Sequence, residues 1–72
     1  MRLYLKLYFN SDGTPTLELI KRARKMGFRP SVGYYDFMIN FDTPEQYTKI
    51  LDDLHNMLKG TKALYTVMTR ED

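Results

Sequence analysis

The first stretch of the chain alternates hydrophobic and polar positions, and this alternation predicts a half-buried strand. Its odd positions are all apolar: Leu3, Leu5, Leu7 and Phe9. Its even positions carry charged groups or phenols: Arg2, Tyr4, Lys6 and Tyr8. Because successive side chains of a strand point to opposite faces, we expect the leucines to face a core.

One small unit occurs twice: a strand-like run, Thr-Pro, a helix-like run and a glycine. The first copy comprises Leu3–Asn10, Thr14-Pro15, Leu17–Met26 and Gly27. The second comprises Phe37–Asp42, Thr43-Pro44, Tyr47–Lys59 and Gly60. Two further strand-like runs, Phe28–Val32 and Lys62–Arg70, complete the order β-α-β-β-α-β. This order predicts one ferredoxin-like α+β domain over residues 1–72, with a four-stranded antiparallel sheet covered on one face by two helices.

Capping signals predict the ends of both helices. Thr14 is expected to cap the first helix, with Pro15 at the first helical position. Gly27 is expected to end that helix in a left-handed conformation. Thr43 and Gln46 have the spacing of a capping box at the start of the second helix.

The second and third strands are predicted from proline and from alternation. Pro30 cannot donate to a β ladder, so its strand is expected at an edge of the sheet. In the third strand, over residues 34–41, the side chains expected to face the helices are Tyr35, Phe37, Ile39 and Phe41. Those expected on the opposite face are Tyr34, Asp36, Met38 and Asn40.

If both helices cover one face of the sheet, the other face is exposed. Its predicted members are Tyr4, Lys6, Tyr8, Asp36, Met38, Asn40, Leu64, Thr66 and Met68. A semi-apolar surface of this size usually marks an interface. The leading interpretation is self-association, because short chains often gain stability by associating. The alternatives are docking of a different protein, and stacking of nucleic-acid bases on Tyr4 and Tyr8 with Lys6 beside a phosphate.

Part of this face resembles a nucleic-acid-binding family. Leu3-Tyr4-Leu5 resembles the start of the shorter signature of the RNA-recognition motif family. Gly33-Tyr34 and Phe37–Phe41 resemble its longer signature, although Tyr35-Asp36 replaces the small-then-aromatic pair of that family. The resemblance implies base stacking on the sheet.

Composition excludes several classes of function. The 72 residues contain no cysteine, which excludes disulfides, thiolate metal sites and cysteine nucleophiles. Eleven Lys and Arg against nine Asp and Glu give a net charge of +2, which does not by itself indicate a nucleic-acid partner. No apolar stretch approaches the roughly 20 residues of a membrane span, and the first residues lack the pattern of a signal peptide. We therefore expect a cytoplasmic protein without a membrane partner.

Candidate chemistry outside the sheet is limited to a basic run and one histidine. Five cations cluster around the end of the first helix: Lys21, Arg22, Arg24, Lys25 and Arg29. They could contact phosphate, but a solvated helix face that complements the C-terminal helix dipole is the favoured interpretation. His55, the only histidine, is expected to be exposed on the second helix, without a nucleophile in reach. We predict no catalytic site, no metal site and no cofactor, and hence a protein that is not an enzyme.

The loop Asp12-Gly13-Thr14 leads into a predicted helix N-terminus, where N–H groups favour an anion. A turn chosen for its geometry is the competing and favoured interpretation. Asp12-Gly13, followed by Leu17, Ile20, Gly27 and Phe28, resembles the loop and helix of ACT-type regulatory domains. The segment Val32-Gly33-Tyr34-Tyr35-Asp36, with Leu54, Leu58, Gly60 and Thr66, is similar to the ligand-sensing domain of Lrp/AsnC regulators. The ACT resemblance implies amino-acid binding near this loop at a dimer interface.

The leading hypothesis from sequence is a small non-enzymatic regulatory or oligomerisation module that associates with itself through its sheet face or its sheet edges. Its expected partners are a second copy of the chain, in a dimer or larger homo-oligomer, and an amino-acid-like anion near Asp12–Thr14. The alternative hypotheses are single-stranded RNA or DNA binding through the exposed sheet face, and docking of another protein there.

Overall fold

The computed structural model describes residues 1–71 and contains four strands and two helices in the predicted order. The elements are β1 (Arg2–Tyr8), α1 (Thr16–Met26), β2 (Arg29–Pro30), β3 (Phe37–Asn40), α2 (Pro44–Leu58) and β4 (Leu64–Arg70). The strands form one sheet in the order β2-β3-β1-β4, and every neighbouring pair is antiparallel. The predicted ferredoxin-like α+β fold is therefore confirmed. Neither helix in residues 1–71 combines the length and the apolar character needed to cross a membrane.

The strand β1 is central in the sheet, and its alternation builds the core. Leu3 and Leu5 are fully buried and Leu7 is nearly so, as the sequence predicts. The buried helix residues in the same cluster are Leu19, Ala23, Leu54 and Leu58. Burying one leucine side chain contributes about 2 kcal/mol, so the leucines of β1 determine which face of the sheet the helices cover.

The helix α1 begins one residue later than predicted, and Thr14 is not its cap. Pro15 occupies the N-cap position, and no side chain makes a capping hydrogen bond there. The backbone N–H of Thr14 instead donates to the Thr61 carbonyl at 3.1 Å, which holds Thr14 outside the helix. The other end agrees with the prediction, because Gly27 ends α1 with a left-handed φ of 108°.

The helix α2 begins with the predicted cap. The Thr43 hydroxyl accepts a hydrogen bond from the Gln46 backbone N–H at 3.2 Å. In a standard capping box, the Gln46 side chain would accept from the N–H of the cap residue, Thr43. Here it accepts from the N–H of Asp42, one residue earlier, at 2.6 Å. The bond to the Thr43 hydroxyl satisfies an N–H group that the start of a helix leaves without a partner, and the bond from the Asp42 N–H ties the residue before the cap to the helix.

The strand β3 is shorter than predicted, and the prediction for Tyr35 is wrong. Ordered pairing with β1 begins at Phe37, while residues 32–36 lie outside the strand. Alternation assigns faces only within a strand, so it does not hold for Tyr35. That side chain lies on the face opposite the helices, where its hydroxyl donates to the Met68 Sδ at 3.4 Å. Its ring centroid is 5.7 Å from that of Tyr4.

The strand β2 is an edge strand, as Pro30 predicts. It has two residues and pairs only with β3 within the described chain. The opposite edge is β4, whose seven residues all pair with β1. The two edges of this sheet therefore differ in length and in composition.

Candidate functional site

The face of the sheet opposite the helices carries side chains from all four strands. In an antiparallel sheet, residues directly opposite each other share a face. The register places Tyr4 between Met38 and Met68, Lys6 beside Thr66, and Tyr8 beside Leu64. The open face, as we call it, consists of Arg2, Tyr4, Lys6, Tyr8, Arg29, Met38, Asn40, Leu64, Thr66, Met68 and Arg70, with Tyr34, Tyr35 and Asp36 from the preceding loop. It thus includes every residue that the sequence assigns to this surface.

Four tyrosines form a connected group on the open face. Tyr35 contacts Tyr4 on one side and meets Tyr34 edge-on at a centroid distance of 5.0 Å on the other. The Tyr34 and Tyr8 hydroxyls lie 3.2 Å apart, within hydrogen-bond distance. Tyr8 is 42% exposed and Tyr34 is 65% exposed, whereas Tyr4 and Tyr35 are half-buried. The accessible aromatic surface therefore belongs mainly to Tyr8 and Tyr34.

The hydrogen bond with Tyr8 raises the pKa of Tyr34 above its ordinary value, with smaller contributions from the charges of Tyr8 and Tyr35 and from partial burial. A raised pKa favours the neutral phenol, so Tyr34 is uncharged at neutral pH. Tyr34 therefore brings no negative charge to this surface.

Charge on the open face is predominantly positive. Its cations are Arg2, Lys6, Arg29 and Arg70, and within residues 1–71 its one acidic side chain is Asp36. Asp36 is already engaged: one oxygen lies 3.5 Å from the Lys6 Nζ, and the other accepts from the Leu7 N–H at 2.9 Å. Asp36 therefore offsets the charge of Lys6 and does not pair with Arg29 or Arg70.

Two of these cations lie over tyrosine rings. The Arg70 guanidinium is 5.4 Å from the Tyr4 ring centroid, and the Lys6 Nζ is 5.3 Å from that of Tyr34. These distances are typical of cation–π contacts. Each contact holds a positive charge close to an aromatic surface.

An open groove of about 440 Å³ lies between the β2–β3 loop and the strands of the open face. Arg2, Tyr4 and Arg70 line it on the strand side, and Pro30, Ser31, Val32, Tyr34, Tyr35 and Met38 complete its wall. Cations and aromatic rings therefore line the same concave surface.

The loop predicted to bind an anion uses its backbone donors within the protein. The Asp12 N–H donates to the Asn10 side-chain oxygen, the Gly13 N–H to the Asn10 carbonyl, and the Thr14 N–H to the Thr61 carbonyl. All three N–H groups of the segment already have acceptors, as expected of a turn that is fixed by its geometry. Anion binding at Asp12, Gly13 and Thr14 stays a prediction.

The cations of the basic run after the first helix have three different placements. Arg22 bridges the helices, because its Nε lies 3.2 Å from a Glu18 oxygen and its Nη1 donates to the Met57 carbonyl. Lys21, Arg24 and Lys25 are exposed on α1. Arg29 pairs with Met38 in the sheet and so belongs to the open face.

Within residues 1–71, no group of three or more His, Asp and Glu side chains could hold a metal ion, and His55 is exposed on α2.

Sequence reasoning missed some members of this surface. Arg70 has the parity of Met68, so alternation alone could have assigned it to the open face, as it assigns Arg2 to the side of Tyr4 in β1. Arg29 was read only as part of the basic run, because a two-residue strand gives almost no alternation to follow. For Tyr35 the periodic signal gives the wrong face, because the residue lies before the start of β3.

Comparisons with protein-family models, with curated proteins and with solved structures found no match to this chain. The resemblances to ACT-type domains, to Lrp/AsnC ligand-sensing domains and to the RNA-recognition motif therefore stay predictions. The chemistry of the open face is the basis for a proposed function.

Proposed function

We propose that this protein binds single-stranded nucleic acid, RNA or DNA, on the open face. The observation that carries the proposal is the position of Arg29, Arg70 and Lys6 around a tyrosine cluster on an exposed sheet, where Asp36 is the one acidic side chain within residues 1–71. Single-stranded nucleic acid presents two chemical features, a chain of phosphates and the flat faces of unpaired bases. The open face offers a complement to each of them.

The aromatic residues supply the stacking surfaces. Tyr8 and Tyr34 have exposed rings that are joined through their hydroxyls. Base stacking on such a ring contributes about 1–3 kcal/mol per base and requires a base that is not already stacked in a duplex. This requirement favours a single strand over a double helix.

The cations supply the phosphate contacts. Arg70 and Lys6 lie over the rings of Tyr4 and Tyr34, so a base stacked beside these rings would keep its own phosphate near a positive charge. Arg29 lies at the β2 edge, beside Met38, and extends the positive surface across the sheet. Phosphate contacts of this kind provide affinity without reading sequence.

Positive charge argues against self-association through the open face, which was the leading interpretation from sequence. A two-fold dimer apposes the same patch from both subunits. Here it would bring Arg29 and Arg70 against a second cationic face, with Asp36 already engaged by Lys6. Like charges in an interface oppose association, and a polyanion does not face that cost.

Removal of the exposed rings tests this proposal. We expect wild-type protein to bind a fluorescein-labelled ten-nucleotide oligouridine or oligodeoxythymidine in fluorescence anisotropy. The double variant Tyr8→Ala, Tyr34→Ala should lose about 10- to 100-fold in affinity, because two stacking surfaces are removed. The matched control is Tyr8→Phe, Tyr34→Phe, which removes both hydroxyls and keeps both rings, and it should retain most of the affinity.

The outcomes separate stacking from a merely structural role of these side chains. Circular dichroism of the two variants should show the same folded spectrum, since both positions are exposed. If wild-type protein binds neither oligonucleotide at low salt, or if the alanine and phenylalanine variants bind equally well, the proposed function is wrong.

A further inference from the structure

The two edges of the sheet are protected to different degrees. The β2 edge is two residues long and contains Pro30, and both features prevent further strand pairing. The β4 edge has seven residues, and its run from Leu64 to Thr69 contains no charge, proline or glycine. An exposed edge with six consecutive uncharged residues is a template for another strand.

The free backbone groups of β4 can be identified from the hydrogen bonds of β1. The N–H of Phe41 donates to the Met1 carbonyl, and the Met1 amino group donates to the Phe41 carbonyl, so position 1 bonds toward β3. Because N–H and C=O directions alternate along a strand, the odd positions of β1 bond toward β3 and the even ones toward β4. The register pairs even positions of β1 with even positions of β4, so the odd positions of β4 direct their N–H and C=O groups outward.

We propose that a second copy of this chain pairs with the β4 edge, antiparallel to β4 and with Val67 opposite Val67. This register pairs all seven residues of the strand. It makes hydrogen-bonded pairs of the three outward-facing residues: Tyr65 with Thr69, Val67 with Val67, and Thr69 with Tyr65. Three such pairs exchange about six backbone hydrogen bonds.

The symmetry and the charge of the β4 edge indicate that its partner is a second copy of the chain. Antiparallel pairing of a strand with itself is two-fold symmetric, so one surface serves both partners. The central residues are uncharged, and the register places Arg70 opposite Leu64 rather than opposite the second Arg70. The two-fold axis is perpendicular to the sheet, so the helices of both copies lie on the same side.

Edge pairing leaves the open face free and doubles it. The two sheets become one of eight strands, because each copy contributes four, and both tyrosine clusters point in the same direction. The dimer therefore does not depend on nucleic-acid binding, and it would present a longer cationic and aromatic surface where such binding occurs.

Substituting proline for a β4 residue whose N–H points away from β1 tests the dimer in the absence of nucleic acid. Thr69 is exposed and lies off the open face, and proline there removes one edge donor that the monomer does not use. Light scattering across protein concentration should give twice the 8.6 kDa chain mass for wild-type protein and for Thr69→Ala, which keeps the N–H. Thr69→Pro should remain at the mass of one chain under the same conditions.

A second measurement uses the unmodified chain and does not depend on the folding of the proline variant. The amide protons of Tyr65, Val67 and Thr69 point away from β1, and no strand lies on that side of β4 within residues 1–71. Their hydrogen exchange should therefore slow by at least tenfold as concentration rises. The neighbouring amides of Thr66 and Met68 should exchange slowly throughout, because they bond to β1. A single-chain mass at millimolar concentration, a dimeric Thr69→Pro variant, or exchange at Val67 that is independent of concentration would overturn the proposal.

Discussion

Gly13→Ala is expected to lower the free energy of unfolding by about 3 kcal/mol. A Cβ added at Gly13 would overlap the backbone carbonyl oxygen of Thr61, and it would also press on the Lys62 side chain. That carbonyl cannot move freely, since it accepts the Thr14 N–H, and Thr61 itself is 2% exposed. Its hydroxyl donates to the Leu58 carbonyl at 2.6 Å and fixes the end of α2. The added methyl group would therefore separate two loops that close the same end of the core.

The comparison for this prediction is Gly60→Ala. Gly60 has a left-handed φ of 78°, but a Cβ there meets nothing within 4 Å. Its replacement should cost only the conformational penalty of about 1 kcal/mol. Urea unfolding of both variants, followed by circular dichroism, separates the two effects. Equal destabilisation of the two variants would show that the close approach of Gly13 to Thr61 has no energetic consequence.

Loss of two open-face cations is expected to weaken oligonucleotide binding by about 25-fold at 0.1 M salt. Each phosphate contact to a single strand contributes about 0.7 to the slope of log K against log salt, so two contacts contribute about 1.4. Over the tenfold change from 1 M to 0.1 M salt, a slope of about 1.4 corresponds to a factor of about 25 in affinity. The double variant Arg29→Gln, Arg70→Gln removes two cations from opposite sides of the tyrosine cluster. Its binding should therefore show a salt slope that is smaller in magnitude by about 1.4.

The matched control is Lys21→Gln, Lys25→Gln. It lowers the net charge of the chain by the same two units, but both lysines are exposed on α1, on the covered side of the sheet. If the open face binds the phosphates, the control should keep the salt slope of wild-type protein. Equal losses in the two variants would mean that the oligonucleotide responds to net charge and not to a defined surface.

The sequence predicts the fold well because its strongest signals are periodic. The leucines of β1 alternate through the whole strand, and register then fixes the neighbours of Tyr4 and Tyr8. The cap at Thr43 is a local signal within α2, and it is also confirmed. Such features depend on residues that are close in the chain.

The errors occur where distant contacts override local signals. Thr14 has the residue type of an N-cap, but a hydrogen bond to Thr61, 47 positions away, holds it outside α1. Tyr35 follows the parity of β3 but lies in the loop before that strand, and contacts with Tyr4 and Met68 determine its side. Local propensity could predict neither placement.

The charge of the open face was also underestimated. A net charge of +2 for the whole chain gives no indication of nucleic acid. The fold separates the charges, however, because many acidic residues lie on α2 or in loops while Arg2, Arg29 and Arg70 come together on the sheet. Only the assembled sheet shows this asymmetry.

The most direct test of the open face as a nucleic-acid site is NMR of protein labelled with ¹³C at the methionine methyl groups, titrated with a ten-nucleotide oligouridine. Met38 and Met68 lie on the open face, beside Tyr4, whereas Met26 and Met57 lie on the helix side of the sheet. We predict that the signals of Met38 and Met68 shift on titration and those of Met26 and Met57 do not. Shifts at Met26 or Met57 alone, or no shift at any methionine at low salt, would contradict the proposed function.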